Sequence, residues 1–81
     1  MLVIYGSMLC KDCVNCREDL DRAGIAYEFR DFFESLLWLK NFLKLRDESA
    51  QFQNVKKAGA IGIPCIVTES GETLLDWSSL L

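Results

Sequence analysis

Residues 2–24 read LVIYGSMLCKDCVNCREDLDRAG, an apolar run followed by three evenly spaced cysteines. Leu2 to Tyr5 combine β-branched and aromatic residues and stop at Gly6, the pattern of a short buried strand. Gly6 to Leu9 is a loop. A helix is predicted from about Cys10 to Ala23, because Cys13, Cys16, Leu20 and Ala23 recur at spacings of three and four on one face. Gly24 is a suitable residue to end it. The strand, loop and helix thus put Cys10 at a helix start.

The rest of the chain extends this unit. AYEFRDF, residues 26–32, alternates, with Tyr27, Phe29 and Asp31 on one side and Glu28, Arg30 and Phe32 on the other. Two strands joined by a helix-length crossover imply a parallel βαβ pair. ESLLWLKNFLKLRDES, residues 34–49, is the longest helical pattern. Leu36, Leu39, Phe42 and Leu43 form its predicted apolar stripe, and Glu34 or Ser35 could cap it. A further turn carries Phe52, Val55 and Ala58 and stops at Gly59. CIVTE (65–69) and ETLLD (72–76) flank Ser70-Gly71 as a hairpin. WSSLL, residues 77–81, forms a last helical turn. The predicted order is β-α-β-α-β-β plus a short C-terminal helical turn. It is one α/β domain over residues 1–81, with a mixed four-stranded sheet between helical layers.

Composition narrows the function. The 81 residues carry 9 Lys and Arg against 12 Asp and Glu, a net charge of −3. The cations are scattered, which argues against a nucleic-acid groove. About half the residues are hydrophobic (51%), enough for a core and against disorder. No apolar run approaches the roughly 20 residues that span a bilayer. The start lacks the features of an export signal, so a cytoplasmic location is expected. Thiols there are kept reduced, which favours catalytic or metal-binding cysteines over a structural disulfide. The chain has no histidine, which removes imidazole catalysis and imidazole metal ligands. A monomer is expected.

Cys10, Cys13 and Cys16 fall on one broad helical face. Unpaired N–H groups and the positive end of the helix dipole stabilise an anion at a helix start, and the thiolate is the reactive form of cysteine. Cys13, one turn on, is placed to attack a disulfide formed at Cys10. Between them Lys11 favours a thiolate and Asp12 opposes it. The plain reading of Cys16 is core packing, since free cysteine behaves as a small hydrophobe. The rival reading of the set is a metal or iron–sulfur site. C-x-x-C-x-x-C starts a bacterial cluster run, but REDL follows Cys16 and the run is not completed. Such a site needs Cys65 as the fourth ligand. Cys65 follows Pro64, the only proline. It is read as a buried thiol, with a second redox pair or metal ligand as alternatives.

VIYGSMLCKDC with GIPCIV resembles the glutaredoxin-type proteins of the thioredoxin fold, over nearly the whole chain. LKNFLKLRDES with VKKAGAIGIPCIV resembles, more closely, the small bacterial glutaredoxin-related proteins. The resemblance implies a thioredoxin-like three-layer fold and a thiol–disulfide oxidoreductase acting on protein disulfides or glutathione mixed disulfides. Cys10 matches the attacking cysteine and Cys13 the resolving one. Pro64 matches a cis-proline beside the active cysteine, and Ile63 the residue whose backbone pairs with a bound thiol substrate. Lys11 is a candidate substrate contact. Glutathione is the implied co-substrate, with no tightly bound cofactor. The fold of such proteins brings Pro64 to the helix start, so all four cysteines are expected in one neighbourhood. Two departures stand out. Family members often carry Pro-Tyr between the two cysteines, where this chain has Lys11 and Asp12. They often carry Gly-Gly and then Asp near the C-terminus to hold the glutathione carboxylate, where Leu75, Asp76 and Ser78 stand here.

Overall fold

The computed structural model describes residues 1–81. Strand β1 (Leu2–Gly6) leads through a loop into helix α1 (Lys11–Arg22), followed by β2 (Tyr27–Asp31) and α2 (Leu36–Glu48). A 3-10 turn (Ala50–Phe52) runs into α3 (Gln53–Lys57). Strands β3 (Cys65–Val67) and β4 (Thr73–Leu74) precede a final 3-10 turn (Trp77–Leu80). The sheet order is β2-β1-β3-β4. β1 and β2 are parallel, while β3 runs antiparallel to both β1 and β4. The mixed four-stranded α/β architecture expected from the sequence is the one observed.

Local chemistry explains the ends of α1. Asp12 in the first turn and Arg22 in the last complement the helix dipole. The helix closes on Gly24 at φ +72. There the Ile25 N–H bonds the Leu20 carbonyl (2.9 Å) and the Gly24 N–H bonds the Asp21 carbonyl (3.1 Å). This is the paired termination that needs a left-handed residue, and glycine adopts it without a Cβ penalty. α3 ends the same way at Gly59.

The sheet splits the core in two. Ile4 and Ile66 face α1, packing with Cys16 and Leu20, and Leu2, Tyr27, Phe29 and Leu74 join them. The neighbouring strand residues Tyr5 and Cys65 face the other way, against Phe42 of α2 and Phe52. Period-two alternation along each strand makes this division. Trp77 donates its indole N–H to the Asp19 carboxylate (2.9 Å), which ties the C-terminal turn to α1.

Two expectations fail in detail. Leu36 and Leu43 were placed on the buried stripe of α2, yet they are 80% and 43% exposed. The inward residues are Trp38, Leu39, Phe42 and Leu45. Apolar residues surround most of this helix, so periodicity alone selects no face. Ala23, assigned to the buried face of α1, is exposed because it is the C-cap. No helix is long and apolar enough to cross a membrane.

Candidate functional site

Cys10 is the N-cap of α1, with extended backbone (φ −93, ψ 121), and its side chain caps no helical N–H. It is partly exposed, while Cys13, Cys16 and Cys65 are fully buried. The loop that sets it there is organised by Ser7, which is itself buried. The Ser7 hydroxyl accepts the Leu9 N–H (3.0 Å), and the Ser7 carbonyl accepts the Cys10 N–H (3.1 Å). The Ser7 backbone also hydrogen-bonds the Cys13 thiol. One residue thus fixes both cysteines, and the sequence reading passed over it as loop. Its signal was faint: a serine after a strand-ending glycine, three residues before a helix.

Cys13 lies beneath this loop, close enough to Cys10 for the two thiols to influence each other. A methyl group on Gly6 would stand 2.7 Å from the Cys13 sulfur, closer than a real Cβ contact allows. Gly6 is therefore where the β1 backbone makes room for this thiol. Burial pushes Cys13 up to about 12, helped by the hydrogen bond and charge of Cys10 and by the charge of Cys16, and opposed by the Ser7 backbone. Burial, with the Asp19 charge behind it, raises Cys16 to about 11. Burial alone raises Cys65 to about 12.

These shifts predict an alkaline limit on stability. Unfolded, the three thiols ionise near 9.0; folded, they hold their protons to about 11 or 12. Above pH 9 the unfolded state binds fewer protons than the folded one. Stability is therefore intact below about 9 and is lost as pH rises through 11 to 12. Each thiol contributes a slope of about 1.4 kcal/mol per pH unit. Thermal unfolding under a non-thiol reductant should show a midpoint that drops steeply beyond pH 9. Cys65→Ala should remove one thiol's share of that slope. An equal slope in both proteins would contradict it.

Pro64 is buried, and the Ile63–Pro64 peptide bond is cis, as the resemblance implied. Cys65 pairs with Tyr5 across antiparallel strands. Pro64 therefore lies at the sheet end where β1 passes into the loop to Cys10. Arg46 of α2 holds the approach to it, donating from Nε to the Ile61 carbonyl (2.9 Å) and from Nη2 to the Ala60 carbonyl (2.8 Å). Gly62 (φ +94) packs against Phe52, where a Cβ would meet the ring at 2.8 Å. The Ile63 N–H and C=O have no partner within the chain. Lys11 and Asp12 are exposed on the first turn of α1.

The expected gathering of all four cysteines is not observed. Cys65 faces Phe42 and Phe52, whereas Cys16 packs with Ile4 and Leu20 on the far side of the sheet. No three of the Cys, Asp and Glu side chains are grouped to hold a metal ion. The donors do not fit a four-cysteine metal or cluster site, because strand alternation turns Cys65 away from the helix. Three surface depressions exist and none is lined by a cysteine. Cys10 is partly exposed outside all three.

An uncharacterized protein of Haemophilus influenzae is 37% identical over 78 residues, spanning 96% of this chain and 91% of that one. The chain belongs to the same family. No family model matches it, and no solved structure does.

Proposed function

We propose that the protein is a thiol–disulfide oxidoreductase on a thioredoxin-like, glutaredoxin-type fold, with Cys10 as nucleophile and Cys13 as resolving thiol. One observation carries this reading: a partly exposed cysteine at a helix N-cap, with a buried cysteine one turn on beside it. The thiolate is the species that attacks disulfides.

The Cys10 thiolate attacks one sulfur of a substrate disulfide. A bond forms between Cys10 and that sulfur, and the other sulfur leaves as a thiolate that takes up a proton. The Cys13 thiolate then attacks the Cys10 sulfur, forming the Cys10–Cys13 disulfide and releasing the second substrate thiol. Two electrons and two protons pass from the protein to the substrate. The environment of Cys13 orders these steps. While Cys10 is free, its hydrogen bond and charge help keep Cys13 protonated. Once Cys10 is in a mixed disulfide both influences vanish, and the Ser7 hydrogen bond still favours the Cys13 thiolate. Burial, the largest cause of the raised Cys13 value, persists, so the mixed disulfide eases the ionisation of Cys13 only in part. Cys16 and Cys65 serve as packing. A reducing compartment such as the cytoplasm suits the dithiol form.

The test is to mix pre-reduced protein with a small chromogenic disulfide, then alkylate and map the cysteines. The expected result is two electrons delivered per molecule, with Cys10 and Cys13 protected from alkylation. No reduction, or consumption of Cys16 or Cys65 first, would defeat the assignment.

A further inference from the structure

Nine large hydrophobic side chains remain exposed, and their positions are not random. Met8 and Leu9 lie on the connection from β1 to Cys10. Phe33 follows β2, which is parallel to β1, and Leu36 and Leu37 open the helix after it. Ile61 precedes β3, which enters antiparallel beside β1. All six therefore stand at the one end of the sheet that carries Cys10. Leu9 is 83% exposed and Ile61 60%. Exposed apolar residues gathered at a reactive group mark a binding surface.

Charge at the same end points the same way. Arg17 is engaged, donating to the Tyr27 hydroxyl (3.2 Å) and the Met8 sulfur (3.0 Å) and lying over the Phe29 ring (4.5 Å). Arg46 is committed to the Ala60 and Ile61 carbonyls. Arg30 is paired with Glu28 and the Tyr5 hydroxyl. Lys11 remains, next to Asp12. A reactant such as glutathione, with two carboxylates, finds no uncommitted arginine at this end to receive it. The unpartnered N–H and C=O of Ile63 suit a polypeptide backbone laid alongside in extended form.

We propose that this centre selects disulfides of polypeptides with apolar residues flanking the bonded cysteine, and discriminates against glutathione mixed disulfides. The inference rests on the redox reading of Cys10 and Cys13 and names its substrate class. The apolar flank rests on Leu9 and Ile61, the backbone lies along Ile63, and the substrate sulfur is brought to Cys10. The reaction remains the two-electron exchange given above, with the protein dithiol as reductant.

Three probes test it: two peptides of equal length closed by one disulfide, flanked by leucine and valine or by serine, and glutathione disulfide. Rates of reduction by pre-reduced protein should favour the apolar peptide over the other two by about tenfold or more, the scale of burying one large aliphatic side chain. In Leu9→Ser with Ile61→Ser the ratio between the two peptides should collapse towards one. Both positions are exposed, so the variant should fold, and circular dichroism checks that it does. Equal peptide rates in the wild type, an unchanged ratio in the variant, or fastest reduction of glutathione disulfide would each overturn the proposal while leaving the redox centre intact. Failure to reduce these probes and a small chromogenic disulfide alike would overturn both.

Discussion

Cys10→Ser is expected to lower disulfide reduction by roughly a thousand-fold or more, because it removes the nucleophile on which every later step depends. Cys13→Ser should behave differently. The first exchange still occurs, so the variant should accumulate a mixed disulfide with its substrate through Cys10. Mass spectrometry would show the adduct, and its loss on adding a reductant. The contrast comes from position. Cys10 is partly exposed at the N-cap, whereas Cys13 is covered by Gly6 and Ser7 and reaches only the Cys10 sulfur itself. Cys16→Ala, one turn deeper in the core, should leave both steps in place. Trapping through Cys16, or equal losses from Cys10→Ser and Cys16→Ala, would refute the assignment.

Phe52→Ala should bring the protein close to unfolding. The Phe52 side chain is fully buried and meets Phe42 edge-on at 5.9 Å between ring centres. Phe42 in turn touches Phe32 (5.1 Å) and Tyr5 (6.4 Å), so four rings form the core under α2. Truncating a buried phenylalanine removes about 3–5 kcal/mol. A chain of this size has only about 4–12 kcal/mol in total, at roughly 0.05–0.15 per residue. Urea unfolding should show the midpoint falling by at least about a quarter with the slope unchanged. A loss under about 1 kcal/mol would mean that the ring is not the keystone of this layer. The same change removes the wall against which Gly62 packs. Any folded Phe52→Ala protein should therefore also lose activity, through a loosened approach to Ile63 and Pro64.

How much of this was legible in the sequence depends on the range of the forces involved. Leu2 to Tyr5 announce β1, the cysteine and leucine spacing announces α1, and Gly24 marks its end, since each follows from periodicity or from the backbone freedom of one residue. Tyr27 and Phe29 share a face, as the alternation of AYEFRDF requires. The placement of Cys10 at the helix start was legible for the same reason. The support of the site was not. Ser7 reaches Cys13 only because β1 ends beneath α1, and Arg46 reaches Ala60 and Ile61 across 14 and 15 residues of chain. No local pattern encodes such partners.

α2 shows the boundary most clearly. Its sequence determines a helix, because strong helix formers run from Leu36 to Glu48. Apolar residues lie around most of its circumference, so the inward face was settled only by docking on Tyr5 and Phe52. Cys65 is the sharper case. Strand alternation allowed two orientations, towards α1 or away from it, and the sequence held no preference. The pairing of Cys65 with Tyr5 in antiparallel register decided the matter. Residues directly opposite on paired strands share a face, so Cys65 joined Tyr5 among the aromatic rings of α2, and the sheet came to stand between it and Cys16. By itself the sequence determined the elements, their order and the cysteine at the helix start. Only the tertiary structure decided which side chains share a space, because side-chain neighbours across a sheet are set by register, and register is a property of two strands together.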